Sequence, residues 1–107
     1  MNEELKALLG RLHAHHELYI GSPSLSRLID FVDGYIECMR VRDGEIPKFL
    51  PYDFHAYVLD HYGLEYSVRG FADIIRFFEP SEETAFERFF ELLEEAWKKE
   101  TEKENKI

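Results

Sequence analysis

The residues best suited to chemistry are crowded into one short run, His13-Ala14-His15-His16-Glu17. On a helix His13 meets His16 at i, i+3 and Glu17 at i, i+4, so two imidazoles and a carboxylate fall on one face, where they could share a metal ion. The order is not His-Glu-x-x-His, and no third ligand stands at a recognisable spacing. His55 and His61 belong to a different segment, and nothing in the sequence draws them near. Histidines at a helix C-terminus also have a plainer use, interacting with the helix dipole and the last carbonyls. Other routes to catalysis are missing. The six glycines are scattered rather than gathered into a phosphate loop, and there is no Gly-x-Ser-x-Gly elbow. Cys38 has no base near it in sequence. The expectation is a non-enzymatic protein with no cofactor and no resident metal. A metal-dependent enzyme built on His13, His16 and Glu17 is the third-ranked alternative.

The carboxylates form a second group with a chemical character of its own. The chain carries 13 Lys and Arg against 22 Asp and Glu, a net charge of −9 with histidine neutral. That charge is uneven: seven glutamates and one arginine, Arg88, fall within residues 79–95. Glu87, Glu91, Glu94 and Glu95 stand at i, i+4, i+7 and i+8, which places them on one side of a helix. Like charges at that spacing repel by a few tenths of a kcal/mol per pair. Such a face either keeps a domain soluble or docks a basic partner, where it raises the association rate and selects among partners more than it adds affinity. Asp30, Asp33 and Glu37 make a second acidic strip, and Tyr66 is a candidate aromatic anchor beside a loop.

The apolar spacing supplies the elements that must position these groups. Leu5, Leu8, Leu9, Leu12 and His16 follow a helical period, broken by Gly21-Ser22-Pro23-Ser24, with Ser24 as the next N-cap. A second helix is predicted over 25–41, buried along Leu25, Leu28, Ile29, Val32, Tyr35, Ile36 and Met39. Pro47 and Pro51 bracket a loop, a third helix fits 52–62, and Gly63 suits its C-cap. Residues 64–68 alternate as a strand would, yet have no pairing partner, and are expected to be an extended connector. A fourth helix covers 71–78. Pro80 ends it, Ser81 caps the fifth, and Phe86, Phe89, Phe90, Leu93 and Trp97 make the fifth helix's core stripe. The expected architecture is an all-α bundle of about five helices. Residues 1–97 form the single domain, and 98–107 a charged tail that frays.

Composition narrows the class further. A length of 107 residues allows one domain, and 45% apolar residues are too many for a disordered chain. The acidic balance argues against nucleic-acid binding and against anionic membranes, both of which call for Lys and Arg. A single cysteine excludes an internal disulfide, and its apolar neighbours predict a buried, structural thiol. No run reaches the roughly 18 apolar residues of a membrane span, and the acidic start lacks a secretion signal's apolar core, so the expected location is the cytoplasm.

Three patches carry a resemblance. They are Tyr19-Ile20-Gly21-Ser22-Pro23-Ser24 with Leu28, Phe31, Gly34 and Tyr35; then Phe54, Val58 and Tyr62; then Ala72-Asp73-Ile74-Ile75-Arg76-Phe77-Phe78 with Glu83, Ala85-Phe86 and Phe89-Phe90-Glu91-Leu92-Leu93. Across residues 19–95 the chain resembles the small acidic helical proteins that accompany bacterial polymorphic toxins as immunity partners. The resemblance implies no catalytic residue. It implies a cytosolic protein that blocks a cognate toxin, and a nuclease toxin would offer the basic cleft that an acidic inhibitor fills. The expected partner-binding residues are Glu87, Glu91, Glu94, Asp30, Asp33 and Glu37, with Tyr66 as anchor. The alternative is a structural or regulatory homo-oligomer, a homodimer in the simplest case, packed through an aromatic face.

Overall fold

Each apolar stripe with helical spacing forms a helix. A computed structural model describes residues 3–46, 48, 50–51 and 53–105. Its helices are α1 (Glu3–Ala14), α2 (His16–Tyr19), α3 (Leu25–Asp43), α4 (Phe54–His61), α5 (Phe71–Phe78) and α6 (Glu82–Asn105). No strand occurs among the described residues, and the fold is all-α. Pro47, expected at the start of the loop, and Tyr52, expected at the start of the third helix, lie outside the described residues.

α6 is the spine. Its 24 residues span about 36 Å at 1.5 Å per residue. Ala85, Phe86, Phe89, Phe90, Leu92, Leu93 and Ala96 bury one long stripe against the rest of the fold. α3 packs on α6, α4 on both α5 and α6, and α5 on α6 and α3. Leu5, Leu8, Leu9 and Leu12 of α1 enter the same core, as do Leu25, Leu28, Val32 and Met39 of α3. The result measures 39 × 34 × 27 Å.

The ends of the helices are chemically specified. Ser24 Oγ accepts from the Arg27 N–H at the start of α3. Ser81 and Thr84 cap α6 reciprocally: Ser81 Oγ accepts from the Thr84 N–H, and Thr84 Oγ1 accepts from the Ser81 N–H. α4 closes in a Schellman motif. The Leu64 N–H bonds the Leu59 carbonyl and the Gly63 N–H bonds the Asp60 carbonyl, with Gly63 at φ +70°.

Three features depart from the sequence-based expectation. The first helix breaks at His15, which leaves the α region at φ −135°, and the histidine run is divided between α1 and the single turn of α2. α6 continues as regular helix through the segment expected to fray, as far as Asn105. Cys38 is exposed rather than buried. It shares a side of α3 with exposed Gly34, Glu37 and Val41, about 100° of rotation away from buried Met39.

Candidate interaction surface

The histidine run does not assemble a metal site. His13 lies flat on Phe90, rings 4.1 Å apart and 7° from parallel, and its Nε2 sits at hydrogen-bond distance from Glu87 Oε2, 3.1 Å. His16 instead sets its edge against Phe86, and Glu17 lies beside His15 and His16 at 3.8 and 3.9 Å. Among the described residues no group of three His, Cys, Asp or Glu side chains is placed to hold a metal ion. His13 and His16 close the end of the core by packing on α6.

Many carboxylates turn out to be ties between helices. The clearest is Glu82, in the first turn of α6. Its Oε1 accepts from the Ser26 N–H at 2.8 Å and the Ser24 hydroxyl at 3.2 Å, and its Oε2 accepts from the Ser26 hydroxyl at 2.9 Å. One side chain thereby supplies the negative charge and the acceptors that the N-terminus of α3 calls for. Burial alone would raise the Glu82 pKa. The bonds from Ser26 and Ser24, together with the charge of Arg76, outweigh it and hold the carboxyl below its ordinary 4.5.

Tyrosines make the remaining ties. Tyr35 donates to Glu4 at 2.6 Å, joining α3 to α1, and that bond leads the effects that raise the phenol's pKa. Tyr57 of α4 donates to Glu95 of α6 at 2.8 Å. Burial, then that hydrogen bond, pushes the Tyr57 phenol up to about 12. Tyr62 donates to Glu79 at 2.9 Å, and burial followed by this bond drives it higher still.

The expected partner-binding residues divide accordingly. Glu87, Glu91, Glu94, Asp30, Asp33, Glu37 and Tyr66 are all exposed. Glu87 is engaged by His13, Glu91 by Arg88 at 2.8 Å, and Glu37 by both arms of Arg40. The bidentate Arg40 bond holds the Glu37 carboxyl below its usual range. Asp30, Asp33 and Glu94 form no hydrogen bond or ion pair among the described residues. Glu87 and Glu91 of one acidic strip and Asp33 of the other line different clefts. Glu79, Glu83, Glu87 and Glu91 flank a cleft of about 320 Å³ whose only lining Lys or Arg among the described residues is Arg88. Asp33 lines another, of about 360 Å³, beside Asp73 and Arg76, which pair with each other as their i, i+3 spacing suggests. Tyr66 stands apart from both strips. It lies on the connector between α4 and α5, lining a third cleft of about 260 Å³ with Leu64, Arg69, Ile74, Phe77 and Phe78.

This third cleft contains the residues that sequence reasoning overlooked. Phe77 projects into solvent, as does Val68 on the neighbouring connector, and Phe78 remains 43% exposed despite stacking on Tyr62 at 4.5 Å. The available signal was Phe77 itself. It falls off the stripe of Phe71, Ile74, Ile75 and Phe78, so a helix that buries that stripe must expose it.

No helix is long and apolar enough to cross a membrane among the described residues. Comparison with protein-family models, with curated proteins and with solved structures finds no match for this chain.

Proposed function

We propose that this chain is a non-enzymatic binding protein of the immunity type, which neutralises a bacterial toxin by covering the toxin's basic cleft with an acidic helix face. One observation carries the reading: Glu79, Glu83, Glu87 and Glu91 converge on a single groove at the start of α6, and Arg88 is its only Lys or Arg among the described residues. Glu94 extends the acidic row by one further turn. The groove sits on the longest helix, whose opposite side is the core, so the carboxylates are presented on a rigid support. Fixed negative charge of this kind steers a cationic partner into register and accelerates encounter. Inhibition would be steric and electrostatic, in the cytoplasm of the toxin's host, with no bond made or broken.

The test is kinetic. The chain and the triple variant Glu87→Lys, Glu91→Lys, Glu94→Lys are compared for association with a basic bacterial nuclease-toxin domain, at low and physiological salt. The expected result is association slower by about tenfold or more at low salt, with a weaker salt dependence. Equal rates for the two proteins at low salt would exclude the groove as the docking face.

A further inference from the structure

We propose that the α4–α5 connector and the outer face of α5 form a self-complementary interface between two copies of this chain. The inference is independent of the acidic groove. It begins with an apolar surface that the fold leaves open: Tyr66 is 77% exposed, Val68 85%, Phe77 79% and Phe78 43%. Tyr66, Phe77 and Phe78 line one cleft, with Val68 two residues along the connector, and an exposed apolar cluster of this kind on a small domain is a candidate interaction site.

The charges at its edge indicate the occupant. Arg69 lines the cleft, and its guanidinium forms no ion pair or hydrogen bond among the described residues. Every other arginine is engaged: Arg11 with Tyr19, Arg27 with the Ile20 carbonyl, Arg40 with Glu37, Arg42 with Asp43, Arg76 with Asp73 and Arg88 with Glu79. Glu65, exposed on the other side of Tyr66, is likewise unengaged among the described residues. One unengaged cation and one unengaged anion therefore flank the same short segment.

In a two-fold interface any contact between residues i and j occurs twice, once in each direction. Place the axis at Ser67. Glu65 then faces Arg69 of the second copy, and Arg69 faces its Glu65. Tyr66 faces Val68, and Val68 faces Tyr66. The connector is not a strand: it bends at Glu65 and again at Val68 and Arg69, where the Arg69 N–H bonds the Ser67 hydroxyl at 3.0 Å. The pairs across the axis are therefore side-chain contacts, opposite charge with opposite charge and aromatic with aliphatic, rather than a backbone ladder. Phe77 and Phe78 flank the segment and add aromatic area to the contact.

The area is sufficient. Large aromatics bury roughly 150–250 Å² each, so these side chains remove on the order of 500 Å² per copy and about 1,000 Å² in total. That is the lower limit of a specific interface and corresponds to a reversible dimer. The contact patch itself is electrically balanced, and at physiological ionic strength the wider acidic charge is screened over about 8 Å.

Sedimentation velocity from about 1 μM to about 1 mM at physiological salt tests the proposal. The expected result is a concentration-dependent monomer–dimer equilibrium. Arg69→Glu and Glu65→Arg each set like charges face to face twice and are expected to weaken the dimer at least tenfold. The double variant Arg69→Glu, Glu65→Arg restores both pairs and the dimer. The three positions substituted, Glu65, Arg69 and, in the control Phe77→Ser, Phe77, are all exposed, and circular dichroism verifies the fold. A chain that stays monomeric throughout overturns the proposal. So does a dimer indifferent to Arg69→Glu, or a double variant no tighter than the single ones.

Discussion

Two exposed faces of this small bundle are opposite in character. The face of α6 is crowded with carboxylates, while the face made by α5 and its connector presents aromatic rings around one free guanidinium. In sequence the acidic face reads as a solvated or docking surface, yet His13, Tyr57, Ser24 and Ser26 reach it or its ends and convert several acids into ties. Most aromatics at helical spacing read as core, yet Phe77, like the candidate anchor Tyr66, contributes little to holding the fold. Composition and role are therefore partly exchanged. A charged side chain can hold two helices together, and an aromatic one can be left for a partner.

The largest expected effect fixes the baseline of that contrast. Phe89→Ala hollows the buried stripe of α6 and is expected to cost about 3–5 kcal/mol in denaturant unfolding, whereas Phe77→Ala, one of the exposed rings, stays within about 0.5 kcal/mol. Similar losses for the two would abolish the distinction between buried and presented aromatics. Next comes Glu82→Ala, which strips α3 of its capping carboxylate. A cost of about 2 kcal/mol is expected, against no more than about 0.5 kcal/mol for Glu94→Ala on the same helix.

The pH dependence sharpens the same comparison with smaller signals. The Glu82 carboxyl is held below 4.5 in the folded chain, so its contribution is complete above that value and fades as pH falls through the lower folded pKa. The stability gap between the wild type and Glu82→Gln should close in acid, and a gap that persists there would mean that charge plays no part in the cap. At the alkaline end the sign reverses. The Tyr57 phenol is raised to about 12, so its contribution is complete below 10 and is lost as pH climbs through 12. A phenolate absorbance step near 12 that disappears in Tyr57→Phe would identify it, at a cost of about 1 kcal/mol in neutral solution.

How much of this was legible in the sequence follows from the range of the interactions. Ser24, Ser81 and Gly63 act within four residues, and their capping roles follow from local spacing. The stripe of α5, with Phe77 off it, is equally local. Tyr57 and Glu95 are separated by 38 residues and Ser26 and Glu82 by 56, and no periodicity joins them. They meet only because α3 and α4 both pack on α6. The burial expected of Cys38 failed for a related reason: apolar neighbours in sequence do not share a face when each residue turns the helix by 100°. The histidine run could be weighed as a ligand set because local spacing shows neither its break at His15 nor the packing of His13 and His16 on α6.

The Glu82 cap also has a consequence for how the molecule opens. A helix usually frays from its own ends at little expense, each terminus independently of the others. Here the first turn of α6 holds the first turn of α3, so loosening Glu82 leaves the Ser26 amide without its acceptor. Amide hydrogen exchange at Ser26 should then report the opening of α6 as well as of α3. Two helix beginnings distant in sequence would exchange as one cooperative unit, and local breathing at either would be felt at both.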